Sequence, residues 1–168
     1  NLFVFFEVLL IASYGLLLSG GRGMRLRAGV HYVAFNIAAS TLYLFAVGLL
    51  YGLLGALNLA ELAQRIAAAP AANLPLIQAA GGLLLVVFCA KAALFPLYLW
   101  LPDTYARTPA PVVALFAVMT KLGVYAVLRV YSVMFGEDAG ALAGFAWPWV
   151  LGGGAVGLAL ATLGALAA

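Results

Sequence analysis

Charge is what this chain has least of. Eight Lys and Arg and five Asp and Glu make up 8% of its 168 residues, where ordinary soluble domains carry about 25%. With 67% apolar residues and a mean hydropathy of +1.17, a water-soluble fold of this size is excluded, because it could not hide so much apolar surface. Cysteine occurs once, as Cys89, so no disulfide framework and no thiolate metal site can form within the chain. Cys89 reads as a small buried hydrophobe. Histidine also occurs once, as His31, which excludes paired haem ligation between helices. There is no phosphate loop, no His/Cys/Asp/Glu cluster at metal-ligand spacing and no nucleophile–base pair. The chain therefore reads as something other than an enzyme, with no metal or cofactor implied. The eight basic residues form no stripe, so the net charge of +3 carries no nucleic-acid signal.

What is present is a set of long apolar runs. They are continuous instead of alternating, which excludes membrane strands and predicts an all-α polytopic transmembrane bundle in one membrane domain. Five runs approach the roughly 20 residues that a span requires: 2–18, 30–54, 76–101, 111–135 and 145–168. The chain opens and closes inside such runs, and the expectation is a piece of a longer protein. Arg22, Arg25 and Arg27 crowd into the first connection without an acid, which places loop 20–28 in the cytoplasm. Alternation then places loop 102–110 inside as well, and the 136–144 loop, with Glu137 and Asp138, outside. Arg129 near the outer end of the fourth run opposes this weakly. The sequence Leu59–Ile66, with Glu61 and Arg65 four apart, predicts a short amphipathic helix in the interface plane. Trp100 and Trp147 read as interface anchors, and Gly48/Gly52 and Gly153/Gly157 as close helix contacts.

Three ionisable residues interrupt the runs. A charge near the bilayer centre costs about 2.5–3.5 kcal/mol or more, so such groups face protein or water and suggest an ion or proton path. Lys91 lies near mid-depth of the third run. Pro96, five residues on, cannot supply the backbone donor that a continuous helix needs, so the helix should break between Lys91 and Pro96. Broken helices at mid-membrane are where transporters build ion sites. Lys121 lies near mid-depth of the fourth run, beside Thr120. Glu7 is the lone carboxylate within any run and the natural partner of two lysines. Burial disfavours a charged amine while a nearby carboxylate favours it, and opposing terms of that kind suit a group that must gain and lose a proton. The bland alternative is a structural intramembrane ion pair. His31, at the cytoplasmic end of the second run, is a candidate for proton entry. Asn36, Ser40 and Thr41 form a polar seam on the second run, to which helix–helix hydrogen bonding is an equal alternative.

The stretch from Lys91 to Arg129 carries a long pattern: Lys-x4-Pro, Trp-x-Pro-Asp, Ala-Pro and Lys-x-Gly-x-Tyr. Together with the opening Phe-Phe-Glu-Val-Leu-Leu, it resembles the proton-translocating antiporter-like family. That family comprises large subunits of Mrp-type cation/proton antiporters and membrane-arm subunits of respiratory complex I. The wording is most similar to the D-type branch of the Mrp subunits. The resemblance covers essentially the whole chain and implies a fourteen-helix protein with two inverted five-helix repeats. This chain would hold helices five to eight of the first repeat and the helix after it, a partial inverted-repeat antiporter fold. It further implies that Glu7 and Lys91 are the coupling pair and that Lys121 passes the proton on along a hydrated axis. By itself such a piece would not transport.

The expected function is a subunit exchanging protons for Na⁺ or K⁺ in a hetero-oligomeric complex within the bilayer of a bacterial inner membrane. The alternative is a proton-pumping subunit of NADH:quinone oxidoreductase or a related hydrogenase complex. A structural membrane module is the third reading.

Overall fold

A backbone running through apolar surroundings must satisfy its own polar groups, and helices do this segment by segment. The computed structural model describes residues 1–19 and 23–167. Among these it contains no strand and the helices α1 Leu2–Leu18, α2 Met24–Leu54, α3 Leu59–Ala67, α4 Leu74–Lys91, α5 Trp100–Arg107, α6 Ala110–Val133 and α7 Trp147–Ala167. Met24–Leu54, Ala71–Lys91, Ala110–Val133 and Trp147–Ala167 are long and apolar enough to cross a membrane, and α1 is a shorter apolar helix. α2 is the centre of the bundle and packs on α1, α4 and α5, while α6 packs on α4.

Helix ends differ from the apolar runs in ways that matter. α2 starts at Met24, so Arg25 and Arg27 belong to its first turn instead of to a loop. Arg22 lies outside the described residues. The Arg25 Nε donates to the Leu17 carbonyl at 2.9 Å, a cation closing the carbonyl end of α1 as the helix dipole favours. α2 itself ends at Gly55, whose φ of 67° is open to glycine at little cost. There the Arg65 guanidinium donates to the Leu54 carbonyl and pairs with Glu61. The short amphipathic helix is thus tied to the bundle. Asn58 caps its start by accepting from the Ala60 N–H at 2.9 Å. Leu62 and Ile66 are buried, and α3 packs against the 3₁₀ segment Glu137–Leu142 and α6.

The third run is not one continuous helix. α4 stops at Lys91 and α5 begins at Trp100, so most of the stretch 102–110, expected as a loop, is helical. The reason is local. In a continued helix the Pro96 ring would collide with the carbonyl four residues back, that of Ala92. The chain turns away just before that point. The Leu94 N–H reaches the Cys89 carbonyl at 2.9 Å and the Ala93 N–H reaches the Ala90 carbonyl at 3.2 Å, with Ala93 in the left-handed region at φ 53°. That bond pair is a Schellman ending, in which the left-handed position is normally glycine. The Trp100 indole donates to the Ala90 carbonyl at 3.0 Å. Trp100 is buried against Tyr32 and Phe35, so it closes the break and is not an interface anchor.

Two apolar cores flank this break. One gathers Phe88, Tyr131, Phe135 and Ile77, and the other Leu10, Leu17, Tyr32, Trp100 and Phe116. Gly123 lets α6 approach the end of α4. A methyl group there would sit 2.5 Å from the Ala92 nitrogen. Gly153 and Gly157 face Phe95, each at 3.4 Å from where a Cβ would stand, whereas Gly48 and Gly52 meet nothing within 4 Å. α7 has no buried residue.

Candidate functional site

The three charges singled out in the apolar runs do not all meet. Lys91 and Glu7 do. Lys91 is the last residue of α4, where the unsatisfied carbonyl end of a helix favours a cation. Its side chain is 6% exposed and its Nζ lies 4.0 Å from Glu7 Oε1, with Glu7 at 29% exposure. Glu7 comes from the middle of α1 and reaches the same point because α1 and α4 both pack on α2.

α2 supplies the groups between them. Lys91 Nζ donates to Ser40 Oγ at 3.2 Å and to Asn36 Oδ1 at a long 3.4 Å. Ser40 Oγ in turn donates to Glu7 Oε1. The Asn36 amide is held by its Nδ2 donating to the Tyr32 carbonyl at 2.9 Å, which presents its oxygen to the lysine. The polar seam read on α2 is therefore divided. Asn36 and Ser40, one turn apart, are buried in the site, while Thr41 turns outward and donates to the Ile37 carbonyl of its own helix at 3.0 Å. The spacing of four signals a shared face of α2; it does not signal which helix that face will meet.

The walls are apolar. The cleft holding Glu7, Ser40 and Lys91 is lined by Phe3, Phe6, Tyr43, Val87 and Phe88 and encloses about 10 Å³, at or below what one water needs. Low polarity around the site strengthens every charge interaction in it and makes an unpaired charge costly. A carboxylate, a hydroxyl and an amine in series can pass a proton between them.

Lys121 is not part of this cluster. It is exposed on α6, and its Nζ donates to the Ala117 carbonyl of its own helix at 3.0 Å. His31 is exposed on α2, next to the buried Tyr32. Among the described residues, no hydrogen bond or ion pair ties either of them to Glu7 or Lys91, and no group of three or more His, Cys, Asp or Glu is placed to hold a metal.

Comparison with known proteins bears on what such a site is for. The family described as NADH:quinone oxidoreductase/Mrp antiporter, transmembrane, matches residues 1–168. The D subunit of a probable K⁺/H⁺ antiporter of Rhizobium meliloti (strain 1021) is 46% identical over 99% of this chain and 31% of its own. The D subunit of the Na⁺/H⁺ antiporter of Bacillus subtilis (strain 168) is 46% identical over 82% of this chain and 28% of its own. Among solved structures, the Mrp complex from Dietzia sp. DQ12-45-1b superposes with a TM-score of 0.69 at 36% identity, over 79% of this chain and 25% of that one. The chain spans about a third of the length of the curated relatives it matches.

Proposed function

The chain belongs to the NADH:quinone oxidoreductase/Mrp antiporter transmembrane family, and from this we propose that it is part of a membrane subunit exchanging protons for Na⁺ or K⁺ within a hetero-oligomeric antiporter. In this reading Glu7 and Lys91 share and release a proton, Lys121 receives it further along, and His31 admits protons at the cytoplasmic end. The observation that carries the reading is a lysine with a 6% exposed side chain at the end of a broken helix, with a carboxylate oxygen 4.0 Å away. Such a pair in an apolar cleft is expensive as a mere strut. Replacing it by packed apolar side chains is often neutral or stabilising, so its presence points to use.

The exposure of Lys121 fits a relay continued by parts of the subunit beyond this chain. The names of the relatives, D subunits of K⁺/H⁺ and Na⁺/H⁺ antiporters, support the exchanged ions and the other subunits as partners. Their bacterial sources support an inner-membrane location, and the arginines of the first connection support a cytoplasmic side for the Arg25 and Arg107 ends.

The test uses inverted vesicles carrying the intact parent complex. Sodium- or potassium-driven proton efflux in the wild type should disappear in Glu7→Ala, Lys91→Ala and Lys121→Ala while the complex still assembles, and should slow in His31→Ala. Normal efflux in any of the first three removes that residue from the relay. The family also includes NADH:quinone oxidoreductase subunits. Absence of cation-driven efflux together with NADH-driven acidification would establish that reading instead.

A further inference from the structure

We propose that the Ser40 hydroxyl is the proton-conducting link between Lys91 and Glu7, so that the proton crosses this pair through a side chain of α2 and not directly or through water. The inference rests on the relay reading above and adds a residue to it. Three observations carry it. The hydrogen bonds run in one direction, from Lys91 Nζ to Ser40 Oγ at 3.2 Å and from Ser40 Oγ to Glu7 Oε1. The amine and the carboxylate oxygen are 4.0 Å apart, beyond the roughly 2.7–2.9 Å of a direct charge-assisted hydrogen bond. The cleft between them offers about 10 Å³, too little for a chain of waters from one to the other.

The other neighbour on α2 cannot substitute. The amide of Asn36 offers Lys91 an acceptor and bonds the Tyr32 carbonyl through one N–H, but an amide has no proton to hand on at modest cost. A hydroxyl both donates and accepts. In the forward step an N–H bond of the Lys91 ammonium breaks as an O–H bond forms on Ser40. The original Ser40 O–H bond breaks as one forms on Glu7 Oε1. Ammonium and carboxylate become amine and carboxylic acid, Ser40 is unchanged in composition, and rotation about its Cβ–Oγ bond restores the starting direction. No oxidant or further reactant is needed.

Valine and threonine have nearly the same shape and differ in the hydroxyl, which makes them the decisive pair. A smaller residue would leave room for a water to stand in. In the intact parent complex, Ser40→Thr should keep cation-driven proton efflux and its solvent deuterium isotope effect. Ser40→Val should lower efflux by about 100-fold, the usual worth of a positioned proton-transfer group. Equal efflux in the two variants, whether high or low, overturns the proposal: high efflux means the proton does not use the hydroxyl, and low efflux means that the site responds to bulk. Glu7→Gln measured alongside separates the two levels. If it retains exchange, the relay reading itself falls. If it loses exchange while Ser40→Val does not, only the serine link falls.

Discussion

At the scale of single residues, the energetics of the site turn on how one buried amine is satisfied. Lys91 has three donors and finds Ser40, Asn36 and, at longer range, Glu7. Leaving a buried donor without its acceptor costs about 1–3 kcal/mol, more when the group is charged. Asn36→Leu removes the acceptor and also frees the Tyr32 carbonyl from its side-chain partner. It should therefore destabilise the detergent-purified protein by about 1–3 kcal/mol, read as a lowered thermal midpoint against wild type. An unchanged midpoint would mean that the 3.4 Å contact contributes nothing. Glu7 and Lys91 are legible as candidates because a charge inside an apolar run has few bland explanations. Asn36 and Ser40 are legible only as a shared helical face. Trp100 misleads, since an aromatic residue near the end of an apolar run fits an interface anchor equally well until the carbonyl it caps is known.

At the scale of elements, the break after Lys91 is held by three unlike devices: the Schellman turn through Ala93, the Trp100 cap on Ala90, and the close approach of Gly123 to Ala92. A non-glycine residue in the left-handed region costs about 1–2 kcal/mol, and β-branching makes that worse. Ala93→Gly should leave exchange intact, whereas Ala93→Val should destabilise the fold. Gly123→Ala places a methyl 2.5 Å from the Ala92 nitrogen, a backbone atom that cannot swing aside. Overpacking of this kind costs about 1–3 kcal/mol. Because the atoms pushed are those following Lys91, cation-driven efflux should fall along with the thermal midpoint. Wild-type values for Gly123→Ala in both measurements would show that the two helices separate without consequence. The Pro96 break can be read from sequence because proline acts through the bond it lacks. The left-handed turn at Ala93 cannot, because alanine carries no preference for it.

At the scale of the whole molecule, α6 separates the two ends of the bundle. Arg107 lies just before its start, and Asp138 lies just after its end in the 3₁₀ segment that α3 covers. A helix of 24 residues spans about 36 Å at 1.5 Å per residue, enough to cross the hydrocarbon layer. In a Cys89→Ala background, Arg107→Cys should react with a membrane-impermeant thiol reagent only from the cytoplasmic side. Asp138→Cys should react only from the outside. The reverse pattern would invert the orientation drawn from the arginines. α7, which buries no residue, and Lys121 both lie on the surface of the described structure.

The sequence by itself determined that the chain is a helical membrane protein, that its third apolar run is interrupted, and that Glu7, Lys91 and Lys121 need an explanation. These follow from one-dimensional facts: the lengths of apolar runs, a missing backbone donor, and the cost of a charge in hydrocarbon. The family resemblance already implied that Glu7 and Lys91 pair; tertiary structure decided that they meet across α2 while Lys121 stays on another face. It also decided that Ser40 stands between the pair, because helical periodicity fixes which side chains share a face but not which neighbouring helix that face will touch.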